Sequence, residues 1–443
     1  MGKRSIGVLP VVLLALVGLD HLRAEGRENL FLKTRESREL FQRTLGMRPV
    51  GGNRTELLIE GPEFFPRRLE MIRNAKRTID ISTFLWCDDE SGLAVAQALV
   101  DATQRGVRVR PIVDFFNIYP HDQVYGMLAR AGAPVLVYNP PNWGLDRITE
   151  HALHEKVMVV DGKSVLTGGA NLCNEYMIGG VRKLWRDMEV YFEGPLVEVV
   201  QSRYDDTWNW MAKTDYRVSK MATRRAADPF GTPFPRMRYR IYKEKTPVDV
   251  APKGNDDGLY FLQQSYRNAK QGSQLKRALV ELFDRAQESI KIYTPYYVPP
   301  SELEDALIRA SKRGVKVTVI TNSPETNDAE PARYAAIRHY RKSINGGVEI
   351  RQYLPVMMHV KGLMVDDTIL HMGSHNLTHR SFEINGEIGV FLDNPEIAQR
   401  FAQAWEYDLT QSEEVTYLTL EKLQHSIKGI LKTLLFGAFE EQI

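Results

Sequence analysis

The chain carries the same pattern of sequence twice. The stretch ALVDATQRGVRVRPIVD at 98–114 returns as ALIRASKRGVKVTVITN at 306–322. Both stretches are typical of a helix end, a glycine that stops the helix, and a strand rich in β-branched residues. Upstream, AKRTIDIST from Ala75 matches AQESIKIYT from Ala286 in the same way. This alternation predicts an α/β fold with parallel strands. The offset of roughly 200 residues is too long for a solenoid and indicates duplication of a whole domain.

A second duplicated pattern contains ionisable residues. HEKVMVVD at 154–161 and HVKGLMVD at 359–366 share the spacing H-x-K-x4-D. Each is followed, at the same distance, by a glycine-rich turn that ends in asparagine: GGAN at 168–171 and GSHN at 373–376. One such pattern can arise by chance, but two at equivalent places in a duplicated domain indicate a functional site.

The residue types in these patterns suit phosphate chemistry. Alternate side chains of a strand share a face, so each histidine and its lysine point the same way. Lysine ammonium groups and asparagine amides suit phosphate oxygens, and glycines let backbone N–H groups approach closely. The candidate catalytic residues are His154, Lys156, Asp161, His359, Lys361 and Asp366, and the candidate phosphate-binding residues are Asn171, Ser374 and Asn376.

Two histidines on opposite sides of a phosphorus atom can act as nucleophile and general acid. A neutral one attacks, and a protonated one donates a proton to the departing oxygen, which gives a covalent phosphohistidine without a metal or other cofactor. A carboxylate behind each histidine would fix its tautomer, and Asp187 and Glu387, each at the start of an apolar strand downstream of its motif, are the candidates. Asp161 and Asp366 lie far along their strands, where a turn or salt-bridge role is favoured over chemistry.

A triplet of histidines has the spacing of metal ligands on a helix: His371, His375 and His379. This spacing is compatible with zinc. However, His375 lies inside the glycine-rich turn, where helical geometry is not expected, so we predict no metal site.

The duplicated H-x-K-x4-D pattern with its downstream turn resembles the phospholipase D superfamily over roughly residues 60–411. The resemblance implies an α/β fold of two pseudo-symmetric phospholipase D-type lobes. Each is expected to be a mostly parallel sheet flanked by helices, and together they form one bilobal unit around one active site. It also implies a phosphohistidine intermediate without a metal, with His154 as the nucleophile and His359 as the acid. The first half departs from the pattern at Gly169, where the second half carries Ser374.

Within the superfamily, GGANLCNEY at 168–176 and WRDMEVYFEGP at 185–195 resemble bacterial cardiolipin synthases. This resemblance implies transfer of a phosphatidyl group to a lipid or glycerol hydroxyl, with phospholipid substrates and contact with a membrane surface. Hydrolysis of phospholipids to phosphatidic acid is the alternative, because acceptor choice depends on how well the pocket excludes water. A nuclease or other phosphodiesterase is less favoured, since a net charge of +2 does not predict a nucleic-acid partner.

The ends of the chain point to a membrane or to export. Lys3 and Arg4 precede the apolar run Ile6–Leu19, a pattern typical of a secretory signal, but short of the ~20 residues that span a bilayer. The run is either cleaved or kept as an anchor, and Pro10 argues against the alternative of a buried helix. We expect a location at the bacterial cell membrane, in the periplasm or outside the cell. The two cysteines, Cys87 and Cys173, allow at most one disulfide and do not indicate a compartment.

The predicted organisation is a signal or anchor at 1–24, lobes at 55–210 and 275–412, a connector at 211–274, and an amphipathic C-terminal helix at 413–443. The connector is rich in proline, glycine and arginine and forms either a basic rim for anionic substrate or a solvated linker. The apolar stripe of the C-terminal helix, which starts at Leu420, either lies in a membrane surface or packs on its own domain.

Overall fold

The computed structural model describes residues 50–114, 122–133, 135–138, 152–180, 183–214, 259–264 and 274–424. The first lobe contains β1 (Arg54–Ile59), α1 (Gly61–Asn74), β2 (Thr78–Thr83), α2 (Glu90–Gln104), β3 (Arg108–Asp114), α3 (Asp122–Arg130), β4 (Leu136–Tyr138), β5 (Val157–Val160), β6 (Ser164–Gly168), α4 (Asn174–Met177), β7 (Met188–Glu193) and α5 (Leu196–Thr214).

The second lobe repeats this order with its own additions. It contains β8 (Leu259–Gln264), α6 (Gln274–Arg285), β9 (Ser289–Tyr293), β10 (Tyr297–Val298), α7 (Ser301–Lys312), β11 (Lys316–Asn322), α8 (Glu330–Asn345), β12 (Glu349–Tyr353), β13 (Gly362–Val365), β14 (Ile369–Gly373), β15 (Leu377–Thr378), α9 (His379–Glu383), β16 (Glu387–Leu392), α10 (Pro395–Thr410), β17 (Ser412–Glu414) and α11 (Tyr417–Gln424).

Each lobe is built on one large sheet. The first has the order β1-β7-β6-β5-β2-β3-β4 and the second β17-β12-β11-β9-β13-β14-β16-β8. The two-lobed α/β fold is thus confirmed. The sheets are mixed, however: parallel pairing is confined to β2, β3 and β4 in the first and to β9, β11 and β12 in the second. The motif strands β5 and β13 each continue through a short turn into an antiparallel partner, because so short a connection cannot make a parallel crossover.

The two sheets pack face to face. A single buried cluster contains Val159 and Val190 from the first sheet and Met364 and Val390 from the second. On the outer faces, α2 packs on the first sheet and α7 on the second, whereas α5 and α10 contribute side chains to the cluster that the two sheets share. Burial on both faces explains why the motif strands are continuously apolar after their lysines, and it brings the two motifs to one interface.

The structure describes only part of the predicted organisation. Strand β8 falls inside the predicted connector, yet it pairs antiparallel with β16 at the edge of the second sheet. The remainder of the connector, 215–258 and 265–273, lies outside the described residues, as do residues 1–49 with the apolar run Ile6–Leu19. Of the predicted C-terminal helix, the structure describes α11, where Leu420 is buried in the core of the second lobe. No helix within the described ranges is both long and apolar enough to cross a membrane.

Candidate active site

Backbone hydrogen bonds between the lobes hold both motif histidines. The N–H of His154 donates to the carbonyl of Gly386 at 2.8 Å, and the N–H of His359 donates to the carbonyl of Arg186 at 2.7 Å. These bonds belong to two short parallel bridges, one on each side of the pseudo-symmetric interface. The residue that follows each accepting carbonyl is acidic: Glu387 follows Gly386, and Asp187 follows Arg186. Each bridge therefore also fixes the position of a carboxylate in the site.

Each histidine is paired with a carboxylate from the opposite lobe. The Nδ1 atom of His154 lies 2.9 Å from Oε2 of Glu387, and Nδ1 of His359 lies 2.7 Å from Oδ2 of Asp187. All four side chains are buried. The sequence placed each carboxylate downstream of one motif, but the structure gives it to the histidine of the other motif. We call these two pairs the crossed dyads, and neither can form without both lobes.

Burial keeps both histidines neutral at physiological pH. It lowers the pKa of His154 to about 4, with the charges of Lys156 and Lys361 acting in the same direction and Glu387 opposing them. Burial and the same two lysines lower the pKa of His359 well below its usual value. Since each lysine acts on both histidines, the four residues share one site. Either histidine can therefore present an uncharged ring to a substrate.

The two carboxylates differ in their protonation. Burial would raise the pKa of Glu387, but the charge and hydrogen bond of His154 outweigh it and lower this pKa to about 2. Burial raises the pKa of Asp187 to about 7, against the opposing effects of Lys361 and the backbone N–H of Met188. At neutral pH, Glu387 is ionised, whereas Asp187 holds a proton far more readily than an exposed aspartate does.

The glycine-rich turns explain part of this difference. The Ser374 hydroxyl donates to Glu387 and accepts from the backbone N–H of Ile388 at 3.0 Å. Gly169 stands at the equivalent place in the first lobe, where a Cβ atom would lie 2.5 Å from a carboxylate oxygen of Asp187. The first turn therefore offers Asp187 no hydroxyl donor.

Both motif lysines are buried and bind backbone oxygens. Lys156 Nζ donates to the carbonyl of His154 at 2.5 Å, and Lys361 Nζ donates to that of His359 at 2.7 Å. Burial lowers the pKa of Lys156 to about 7 and that of Lys361 to about 8, although Glu387 and Asp187 respectively oppose this effect. A bound phosphate would restore their full charge, because an adjacent anion favours the protonated form.

The predicted phosphate-binding side chains differ in their contacts. Asn171 donates from Nδ2 to the Tyr176 hydroxyl at 2.9 Å and accepts the N–H of Leu85 at 3.2 Å. Ser374 is engaged with Glu387 and orients that carboxylate. The side-chain oxygen of Asn376 is buried without a hydrogen-bond partner in the part of the chain that the structure describes. Asn376 is thus the member of the set with an unused polar atom.

Asp161 and Asp366 lie in the turns that follow the motif strands. Asp161 accepts backbone N–H groups from Arg77 at 2.6 Å and Thr78 at 2.9 Å, and Asp366 binds the corresponding loop of the second lobe, including the N–H of Glu288 at 2.8 Å. Both occupy the left-handed backbone region, with φ of 55° and 50°. They close the turn at the end of the motif strand away from the histidines. These contacts give both residues a structural place in the turn, and their grouping with the catalytic residues stays a prediction.

Aromatic side chains that the sequence did not single out flank both histidines. The Phe84 ring stands edge-on to His154 with centroids 5.0 Å apart. Tyr176 and Trp185 lie against His359 at 4.9 and 5.6 Å. Phe84 comes directly after β2, at the carboxyl end of a parallel strand, where site residues are common. That position is the signal that could have identified it.

A disulfide lies beside the first glycine-rich turn. Cys87 and Cys173 are bonded, with a Cα–Cα distance of 5.0 Å, and they join the loop after β2 to the loop after β6. Together with Asp89 they form the one cluster of three metal-ligating types found among the described residues, but the bonded sulfurs leave no thiolate ligands. His371 and His375 are buried with ring centroids 5.9 Å apart, and no third metal ligand completes a group with them in the described ranges.

Comparisons with known proteins agree with this geometry. A family described as "Cardiolipin synthase, PLD-like domain" matches residues 69–191 and 279–409. The chain is 26% identical over 371 residues to a probable cardiolipin synthase of Bacillus subtilis, YwiE, covering 82% of this chain and 67% of that protein. It is also 26% identical over 368 residues to the major cardiolipin synthase ClsA of Bacillus subtilis, covering 82% and 70%.

A solved structure shows the same fold. The crystal structure of phosphatidylserine synthase from Haemophilus influenzae superposes with a TM-score of 0.68 at 19% identity, over 91% of this chain and 99% of the other. The two family matches cover more than half of this chain, one in each lobe. The chain therefore belongs to the cardiolipin synthase, PLD-like domain family, and it is an enzyme of the phospholipase D superfamily.

Proposed function

We propose that this enzyme is a phosphatidyltransferase of the cardiolipin synthase type, which passes a phosphatidyl group through a covalent phosphohistidine to the hydroxyl of a lipid or of glycerol. The pair of crossed dyads carries this proposal, because it gives two neutral histidines opposite tasks at one phosphate. The curated relatives named as cardiolipin synthases support the choice of phospholipid as substrate.

The first dyad suits a nucleophile. Since Glu387 is ionised, it accepts the Nδ1–H of His154 and leaves the Nε2 lone pair free to attack phosphorus. Attack forms the N–P bond and breaks the bond from phosphorus to the leaving oxygen. The positive charge that develops on the His154 ring is stabilised by Glu387.

The second dyad suits an acid. When Asp187 is protonated, its O–H donates to Nδ1 of His359, so the single proton of the neutral ring sits on Nε2. His359 passes that proton to the leaving oxygen and takes the carboxyl proton at Nδ1. The unequal carboxylates thus select opposite tautomers, which supports His154 as the nucleophile and His359 as the acid.

The second half-reaction reverses these steps. An acceptor hydroxyl gives its proton to Nε2 of His359 and attacks phosphorus, and the N–P bond to His154 breaks. Lys156 and Lys361 hold the non-bridging oxygens in both half-reactions. The choice of an alcohol over water as acceptor then depends on how well the occupied site excludes water from the phosphohistidine. The apolar run Ile6–Leu19 supports a location at the membrane or beyond it.

A product assay tests the proposal. Purified protein in mixed micelles receives labelled phosphatidylglycerol, with and without glycerol or a second phospholipid, and the products are resolved by mass spectrometry. We expect a lipid with two phosphates, and no product from the His154→Ala variant. Phosphatidic acid as the sole product would replace the transferase with a hydrolase, and full activity of His154→Ala would refute the mechanism.

A further inference from the structure

The loop between β11 and α8 presents a carboxylate beside the site. Asp328 is exposed on this loop, and its Oδ1 atom accepts the Tyr296 hydroxyl at 2.7 Å. Among the ion pairs of the described residues, none involves Asp328. Burial and the adjacent Asp328 charge raise the pKa of Tyr296 well above its usual value, so its hydroxyl keeps the proton that it donates.

The loop is braced, so Asp328 has a defined position. The side chains of Ser323 and Thr326 hydrogen-bond to each other at 3.2 Å, and the side-chain oxygen of Asn327 accepts the N–H of Ala329 at 2.8 Å. At its start, the Asn322 side chain accepts the N–H of Met358 at 2.7 Å. The loop is therefore tied to the residue immediately before His359.

Asp328 and Tyr296 stand on the His359 side of the site. Tyr296 packs against the cluster that contains Tyr176, and the Tyr176 ring lies 4.9 Å from the His359 ring. Asp328 also lies close enough to Lys361 for its charge to raise the pKa of that lysine. His359 is the proposed acid, so this is the side on which the leaving alcohol departs and the acceptor alcohol enters.

A carboxylate next to a phosphate site needs an explanation, because it repels the phosphate that the lysines attract. A hydroxyl group is uncharged, so the carboxylate does not repel it. A carboxylate accepts charge-assisted hydrogen bonds from an alcohol, and the neighbouring phenol oxygen, whose proton is donated to Asp328, can accept one from an adjacent hydroxyl. Asp328 and Tyr296 together suit a ligand that carries hydroxyls on neighbouring carbons.

We infer that Asp328 and Tyr296 form a polyol subsite that binds the glycerol part of the leaving and acceptor alcohols and favours polyols over simple alcohols. This inference rests on the proposed function. It assigns alcohol specificity to groups that touch neither histidine, so specificity and phosphohistidine formation can be altered separately.

The experiment measures the two half-reactions separately. The full-length protein receives phosphatidyl-p-nitrophenol, whose leaving group carries no polyol, so release of p-nitrophenolate reports formation of the phosphohistidine. Glycerol and propan-1-ol compete as acceptors, and mass spectrometry gives the ratio of the two phosphatidyl alcohols. The variants are Asp328→Asn and Tyr296→Phe, with Glu325→Gln, an exposed carboxylate on the same loop, as the matched control.

We expect Asp328→Asn to lower the ratio of glycerol to propan-1-ol product about tenfold, the loss typical of one charge-assisted hydrogen bond, while the p-nitrophenolate burst is retained. Tyr296→Phe should lower the ratio in the same direction, and Glu325→Gln should leave it unchanged. An unchanged ratio in both site variants, or an equal loss with both alcohols, overturns the subsite but not the transferase. Failure of the unmodified protein to form either phosphatidyl alcohol overturns the proposed function and the subsite with it.

Discussion

Removing the disulfide should destabilise the first lobe by an amount that the structure defines. Cys87 and Cys173 are separated by 86 residues. Loop-closure entropy for a loop of this length corresponds to about 4.6 kcal/mol at 25 °C, and loss of natural disulfides costs about 2–5 kcal/mol. The Cys87→Ser/Cys173→Ser double variant should therefore lose a few kcal/mol in its free energy of unfolding.

Backbone contacts limit the damage to the site. The N–H of Cys87 donates to the carbonyl of Leu172 at 3.0 Å, and the N–H of Leu172 donates to that of Leu85 at the same distance. The second lobe holds the equivalent place with the short β10–β15 pairing and no disulfide. We therefore expect the variant to fold. Phe84 and Asn171, which lie on the two segments that the disulfide joins, should be positioned less rigidly.

Urea unfolding followed by circular dichroism measures the effect. The unmodified protein with a reductant should match the double variant without it, and the variant itself should not respond to reductant. An unfolding midpoint that is the same in all four samples would contradict the reasoning. So would two free thiols found by titration of the unreduced, denatured protein.

Three further predictions follow from the site. The pH profile of kcat/KM should rise through about 4, as His154 loses its proton, and fall through about 7, as Asp187 ionises; an acid limb near 6.5, the value of an exposed histidine, would contradict the burial argument. Glu387→Gln should lower kcat at least about 100-fold in steady-state assays without unfolding the protein, because the imidazolium loses its counter-charge; a loss under threefold would remove the dyad from the mechanism. Asp161→Ala should lower the free energy of unfolding by about 1–3 kcal/mol while kcat stays near that of the unmodified protein, and a large loss of kcat in the folded variant would place Asp161 in the catalytic group.

Much of the fold could be predicted because the duplication is visible in the chain. A strand that reads as H-x-K followed by apolar residues must be buried on both faces, and two of them imply two equivalent sheets. The extent of parallel pairing was overestimated, since the turns at Asp161 and Asp366 form antiparallel hairpins. The connector is expected to contain short elements of its own, but the pairing of β8 with β16 cannot be read from the sequence, because the two strands lie more than a hundred residues apart.

The candidate active site is likewise predictable from the sequence only in part. The places of Asp187 and Glu387 at the start of apolar strands point to them as supporting carboxylates, and each contacts a motif histidine in the structure. The sequence does not show that each carboxylate pairs with the histidine of the other lobe. That pairing depends on how the two sheets face each other, which the local sequence pattern does not encode. The contacts of Phe84 and Tyr176 with the histidines likewise come from packing, not from spacing in the sequence.

Capture of the covalent intermediate tests the central claim most directly. The His359→Asn variant lacks the group that deprotonates the acceptor, and a p-nitrophenol leaving group needs no acid, so a short-chain phosphatidyl-p-nitrophenol should load the enzyme and stall. After an alkaline quench and proteolysis, tandem mass spectrometry should find the phosphatidyl adduct on His154, resolved from the nearby His151, and none in the His154→Asn variant. An adduct on His359 in the unmodified enzyme, or turnover without an adduct on either motif histidine, would contradict the account.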